Sequence, residues 1–323
     1  MDKHKRATIK DVAKKSDVST ATISRYLNGK FNEMSKQTAK KIEIAIRELD
    51  YTRNSAAVQL VNRKSNLVAV IVDNIDEYFA AEYFKGIVSI LSTHGLVGVL
   101  FDSNSDVNTE KKLLDSLESH HFAGLIFQPL LNQYDVIDKL RENNFPVVLI
   151  DRLIKSPMPI SSVTTNNFQV TKETMDIFYS KGFRKVTVIT ERIGNMSTRI
   201  ERIAGIKSVF ENTNIIEHNF DHMEANNLCQ VIDIDNPNNL VFALKEKILI
   251  QILSKLNWKN ESNIQNITGF IDTVVPKYLA PHYKFIQQSP FYMGAAAAEI
   301  IIKDISNQQE LSDSHVVIQS EFK

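Results

Sequence analysis

Cysteine is almost absent from this chain of 323 residues, which holds one, Cys229. A single thiol excludes an internal disulfide and a paired-cysteine metal site, and beside Val231 and Ile232 it reads as an inert packed side chain. Glycine (10) and proline (8) are sparse as well, too few for a collagen-like or low-complexity chain. No apolar run approaches the ~20 residues of a membrane helix, since the longest, such as "LVAVIV" at 67–72, are strand-sized. The opening "MDKHKRATIKD" has no apolar stretch behind it. A cytoplasmic protein without membrane contact is therefore expected, and the Asn-X-Ser/Thr matches at Asn195, Asn260 and Asn266 are read as coincidence.

Catalytic signatures are missing too. No G-x-G-x-x-G follows the first apolar strand, and neither a Walker loop nor H-E-x-x-H occurs. The stretch "DSNSDVNTE" at 102–110 begins like a calcium loop, but Val107 stands at the required glycine and Leu113 at the closing acid. His120 and His121 are adjacent, point to different sides, and read as surface residues at a helix end. The expectation is a protein that is not an enzyme and uses neither cofactor nor metal. A solute-binding protein or an α/β enzyme carrying a helical head is the alternative.

Net charge is the last absence, with 38 Lys and Arg against 38 Asp and Glu, but that balance is an average. Residues 1–64 hold 15 basic against 7 acidic side chains, and the rest hold 23 against 31. A basic head on an acidic body fits a small phosphate-binding module joined to a domain with a different task. The composition, 43% hydrophobic and 24% charged, is that of an ordinary globular protein long enough for two domains.

In the head, Ile9, Val12 and Ala13 make one apolar stripe, and Thr8 with Asp11 three residues on forms a capping box. Asp17 and Val18 interrupt this first helix. Ser19 caps a second one over about 20–28, Val18 can staple onto Ile23, and Gly29 stops it. Its inner face is Ile23, Tyr26 and Leu27, while its outer first turns carry Thr20, Ala21, Ser24 and Arg25. A third helix from Ser35 carries Ala39, Ile42, Ala45, Ile46 and Leu49, with Lys36, Lys40, Lys41 and Arg47 on its polar side. Val12, Ile23, Leu27, Ile42 and Ile46 would close a helix-turn-helix core. The small, basic outer turn then suits the major groove of double-stranded DNA, where a helix fits and Thr, Ala and Arg read base edges. Between 54 and 61, "NSAAVQLV" is too short for an isolated helix. It reads as a linker that folds on contact, with Leu60 and Val61 as an apolar wedge for the minor groove or as residues docking on the next domain.

From 65 onward strands and helices alternate. Strands are expected at 67–72, 96–101, 123–127, 146–150, 185–190, 230–234, 240–244 and 266–270, and helices at 78–93, 109–119, 134–143, 167–181, 198–212 and 246–256. Nearly continuous apolar strands joined by helical crossovers mean parallel sheets covered on both faces, in two successive lobes. A ligand of such sheets sits just beyond the carboxyl ends of the strands.

With these pieces in place the sequence resembles the lactose-repressor (LacI/GalR) family of bacterial transcription regulators. The likeness is carried by "TIKDVAKKSDVSTATISRYLNG", "SKQTAKKIEIAIRELDY", "NSAAVQL" at 54–60 and "FPVVLIDR", and more loosely by "STRIERIAGIKSVF" and "TGFID". It implies an all-α helix-turn-helix head (1–50), a hinge (51–64), and an α/β two-lobed periplasmic-binding-protein-like domain with doubly wound parallel sheets (65–323). The lobes would be roughly 65–162 and 163–286, with the C-terminal segment crossing between them. It also implies a homodimer on a pseudo-palindromic operator and a repressor of carbohydrate-utilisation genes answering to a sugar-like effector. Thr8, Ser19, Thr20, Ala21, Ser24, Arg25, Asn28, Asn54, Ala57 and Leu60 fall on the DNA side, with Thr20, Ala21 and Arg25 where the family reads bases. For dimerisation the first-lobe helices offer Ile87, Ile90 and Leu91, which are equally good core residues.

The chain departs from the family pattern at several positions. Asp17 stands for the usual turn glycine, Arg53 and Val58 for the usual Pro and Arg of the hinge, Lys245 and Glu246 for Asn-Asp, and Ile271 for the first Asp before Asp272. On the effector side fall Tyr78, Phe79, Asp151, Arg152, Asn166, Thr198, Arg202, Lys245 and Asp272. Three cations in one cleft favour an anionic effector, a sugar acid or sugar phosphate, because Arg grips such groups through a two-pronged fork. The pattern is similar to that of ketodeoxygluconate-type regulators of the family. Alternatively Arg152 and Lys245 pair with Glu246 or Asp272 and the ligand is a neutral sugar.

Overall fold

Thr8 opens the first helix, α1 (Ile9–Ser16), through a two-way cap: the Asp11 carboxylate accepts the Thr8 N–H at 2.8 Å and the Thr8 hydroxyl accepts the Asp11 N–H at 3.4 Å. The computed structural model describes residues 7–27, 29–51, 65–217, 232, 236, 238–255, 266–307 and 310–323. Asp17 ends α1 in the left-handed region, at φ 54° and ψ 47°. Ser19 then accepts the Thr22 N–H at 3.1 Å and starts α2 (Thr20–Leu27), and Ser35 accepts the Thr38 N–H at 3.0 Å ahead of α3 (Lys36–Glu48). Val12, Ala13, Ile23, Ile42 and Ala45 are buried together, with Val18, Leu27 and Ile46 packed on them. The expected mini-core is therefore present. Asn28, Asn54, Ala57, Leu60, Val61, Arg53, Val58, Cys229 and Asn260 lie outside the described residues.

Residues 1–64 and 65–323 are separate compact units. In the second unit one sheet has the order β11-β5-β4-β3-β1-β2. These strands are β1 (Leu67–Val72), β2 (Val97–Asp102), β3 (Gly124–Phe127), β4 (Val147–Ile150), β5 (Ser161–Thr165) and β11 (His315–Ile318), all parallel. The other sheet has the order β12-β10-β9-β8-β6-β7. It contains β6 (Lys185–Thr190), β7 (Thr213–Glu217), β8 (Asn239–Ala243), β9 (Ile267–Ile271), β10 (Ile286–Gln287) and β12 (Glu321–Phe322), parallel except for the β10–β12 pair. Helices cover each sheet on both faces, as the apolar strands require: the first has α4 (Tyr78–Leu91) and α11 (Pro290–Ser306) on one side, α5 (Val107–Ser116) and α6 (Asp135–Glu142) on the other. The second is packed with α7 (Asn167–Ser180), α8 (Ser197–Lys207), α9 (Glu246–Lys255) and α10 (Val275–Leu279). The chain passes from the first lobe to the second at Asn166, returns through α11 and β11, and crosses again to β12.

The structure corrects the sequence reading in two places. The helix expected over 198–212 ends at Lys207, and "TNIIE" is the edge strand β7. The strand expected at 230–234 lies outside the described residues apart from Ile232, which is buried. Ile87 and Leu91, candidates for a dimer surface, are fully buried in the first-lobe core, and Ile90 is half-buried against it; α4 instead exposes Tyr78 and Val88.

Candidate nucleic-acid interface and effector cleft

In the head, Ser19, Thr20, Ala21, Ser24 and Arg25 are all exposed on one side of α2, while Ile23 is completely buried on the other. The cap at Ser19 and the left-handed Asp17 set where α2 starts, and the short side chains of its first turn leave the backbone approachable. Arg25 is held at 3.3 Å from Glu33, within reach of the same face. Thr8 is exposed but its hydroxyl and N–H serve the α1 cap.

In the body, seven strand ends converge. Asp73, Gln128, Asp151, Glu191, Leu244, Asp272 and Gln288 each directly follow β1, β3, β4, β6, β8, β9 and β10. Most of them, with Glu77, Phe79, Arg152, Thr198, Arg199, Arg202 and Lys245, line one cleft between the two lobes. Of the positions expected from the sequence, Phe79, Asp151, Arg152, Thr198, Arg202, Lys245 and Asp272 come together on this wall, and Tyr78 and Asn166 do not. Tyr78 is 58% exposed. Asn166 instead accepts the Ser320 N–H at 2.7 Å and pins the last crossing of the chain. Glu77, Gln128, Arg199, Leu244 and Gln288 were not anticipated; the strand-end rule would have found Gln128, after the strand expected at 123–127, and Leu244, which closes that expected at 240–244, whereas Gln288 follows β10, a strand not expected from the sequence, and Glu77 and Arg199 carry no signal in the sequence beyond their charge.

The first-lobe wall is a closed polar network. Gln128 accepts the Asp73 N–H (3.1 Å) and the Tyr83 hydroxyl (3.0 Å) and donates to Asp151 (2.9 Å). Arg152 donates to Asp73 at 2.5 Å and to the Pro129 carbonyl at 3.2 Å. Burial opposes the Asp73 charge, but Arg152, Lys245 and the Ser105 hydroxyl outweigh it and hold that carboxyl at about 2. Asp151 sits at φ +68°, a conformation a non-glycine residue keeps only when its surroundings impose it.

On the second-lobe wall Lys245 lies 2.5 Å from Glu77 and 2.9 Å from Glu191, and Arg199 also pairs with Glu191. Arg152 and Lys245 are thus paired as the neutral-sugar alternative requires, but by Asp73, Glu77 and Glu191 rather than by Glu246 or Asp272. Glu246 accepts from the Thr273 hydroxyl and the backbone N–H groups of Asp272 and Thr273. Arg202 differs from the other cations. It donates to Asn167 Oδ1 (2.8 Å), the Leu244 carbonyl (2.6 Å) and Gln288 Oε1 (2.7 Å), and its guanidinium lies 3.6 Å over the Phe270 ring. Among the described residues no carboxylate makes an ion pair with it. Burial lowers Arg202 to about 10, still protonated at neutral pH. Burial, reinforced by Glu246, pushes Asp272 up to about 7 against the pull of Arg202 and of Gln288, which donates to Asp272 at 2.6 Å. The cleft can therefore offer fixed donors, a cation with no carboxylate in direct contact and a carboxyl poised near neutrality to one small polar molecule.

Comparison with known proteins accords with both units. Residues 8–54 match the model of the bacterial regulatory proteins of the lacI family, and residues 68–242 match the periplasmic binding protein domain. The HTH-type transcriptional regulator KdgR of Bacillus subtilis (strain 168) is 31% identical over 314 residues, 94% of this chain and 92% of that one. A LacI transcriptional regulator from Lactobacillus brevis is 34% identical, with a TM-score of 0.72 over 80% of this chain and 99% of the other. The lac repressor dimer bound to operator and an anti-inducer shares the fold at 19% identity, with a TM-score of 0.79 over 98% of both chains. A helix-turn-helix head joined to a two-lobed α/β body, matched along nearly its whole length by a transcriptional regulator, makes this chain a member of the lacI family of bacterial regulatory proteins.

Proposed function

We propose that this protein is a repressor of carbohydrate-utilisation genes whose operator affinity is set by a sugar acid or sugar phosphate bound between its lobes. Two copies bind a pseudo-palindromic operator, each placing the Thr20–Arg25 face of α2 in the major groove, with Leu60 of the hinge as the minor-groove wedge. The effector acts through its different affinity for two lobe arrangements, which alters the spacing of the two heads. Enzymatic turnover has no part in this reading.

Arg202 is the observation that carries the anionic effector. Its three hydrogen-bond partners are neutral, and the carboxylates of Asp151, Asp272 and Glu201 act on it without a direct hydrogen bond, so a ligand anion would supply the contacting counter-charge that its buried guanidinium lacks. Phe79 and the neighbouring amides and carboxyls suit the mixed apolar and hydroxylated faces of a sugar. The neutral-sugar reading is favoured by a different observation, the internal pairing of Arg152 and Lys245. Calorimetry with matched pairs such as glucose and gluconate separates the two: the acid is expected to bind at least about ten-fold more tightly, a difference of ~1.4 kcal/mol, and preference for the neutral member overturns the proposal.

A further inference from the structure

The four charges around Lys245 form a chain, Glu77–Lys245–Glu191–Arg199, with two of each sign. Three of the four belong to the second lobe. Glu77 alone comes from the first, in the turn ahead of α4, and its contact with Lys245 spans the cleft. Beside it the Leu153 N–H donates to Ser197 at 3.1 Å, a second bridge across the lobes. The cleft is partly open to solvent, and the free space between its walls is about 40 Å³, enough for a few water molecules and short of a sugar. Because the Glu77–Lys245 contact joins the lobes across the cleft, moving them apart to admit a sugar-sized ligand also parts Glu77 from Lys245. When Glu77 leaves, the second-lobe group keeps two cations and one carboxylate, a net positive seat in a partly buried setting where an unbalanced charge is disfavoured.

We infer that Glu77 is a built-in stand-in for the effector's anionic group: its carboxylate fills the Lys245 seat, and a ligand is admitted by bringing anionic oxygens of its own to replace it. A neutral sugar of the same shape displaces Glu77 without restoring the balance, so Glu77 and Lys245 together set the preference for acids. This selection comes from competition with a tethered carboxylate and deepens the effector reading above, on which it rests.

The test uses the full-length protein and inorganic phosphate as the probe, titrated by calorimetry at fixed ionic strength. Glu77→Gln keeps the shape and removes the charge, and is expected to bind phosphate at least about ten-fold more tightly than the unaltered protein. Adding Lys245→Met should return affinity to the starting level or below. Glu77→Asp, which needs no change at Lys245 and keeps the competing charge on a shorter arm, should fall between the unaltered protein and Glu77→Gln. Equal phosphate affinity in the unaltered protein and Glu77→Gln overturns the inference, as does a gain that survives Lys245→Met or a tighter Glu77→Asp than Glu77→Gln. The effector reading fails separately, if Arg202→Leu leaves the response of operator binding to sugar acids unchanged whatever phosphate does.

Discussion

Asp17, which ends α1, is with Asp50 one of two non-glycine residues with a positive φ among the described residues of the head. Its φ of 54° lies where L-residues other than Asn and Asp are strained and glycine is at ease. Asp17→Gly is expected to change the stability of the head by less than about 1 kcal/mol, the small relief being offset by the added freedom of the unfolded chain, and Asp17→Val to destabilise it by more than about 1 kcal/mol; thermal unfolding of the variants checks both. Asp272 makes a second prediction at this scale. Burial and Glu246 raise its pKa from 3.8 to about 7 in the folded protein. The folded state therefore holds this proton more tightly than the unfolded chain, so the contribution of Asp272 to stability declines as pH rises from about 4 to about 7 and is flat above. In urea unfolding between about pH 5 and 8, Asp272→Asn should lose about 2–3 kcal/mol less than the unaltered protein. An equal pH slope in both refutes the assignment.

Among elements, the tightest junction joins α4 and α11. A Cβ on Gly86 would lie 2.0 Å from the Phe291 carbonyl oxygen, and one on Gly294 would lie 1.9 Å from that of Tyr83. Both obstacles are backbone, so the helices must separate to admit even a methyl group. Gly86→Ala is expected to cost about 2–4 kcal/mol in chemical denaturation, whereas Gly95→Ala, with nothing near its Cβ, is limited to the penalty of a positive φ. The consequence reaches the cleft, because α4 begins beside Glu77 and Phe79 and α11 begins just after Gln288. The same elements show where the sequence was hard to read. β5 is "SSVTT", with no apolar alternation, and is buried because Ser161 and Ser162 bond to Ser312 and His315 of the returning chain. A strand stabilised by a segment some 150 residues away gives no local sign of itself.

For the whole molecule, head and body must share one linkage. Operator affinity should fall with salt, with a slope of ~0.9 per phosphate contacted, and Arg25→Ala should weaken binding to the specific site more than to random duplex. A saturating effector should change operator affinity by roughly 5–150-fold, and saturating operator should change effector affinity by the same factor. Paired titrations measure both sides of this cycle, and unequal factors would show that ligand and DNA do not act on one equilibrium.

The sequence by itself determined the helix-turn-helix, the two parallel-sheet lobes and most of the cleft wall, because each rests on local patterns: the Thr8 and Ser19 caps, the buried stripe of α2, and apolar strands whose ends mark the ligand side. Only the tertiary structure decided which charges meet. Lys245 and Arg152 gave their charge in the sequence, but their partners Glu77, Glu191 and Asp73 stand 168, 54 and 79 residues away. Ion pairs are chosen by proximity across packed elements, and chain separation carries no record of that. For the same reason Arg202, one cation among several in the sequence, is set apart by the fold: packing surrounds it with neutral acceptors and leaves its charge facing the cleft without a carboxylate in contact.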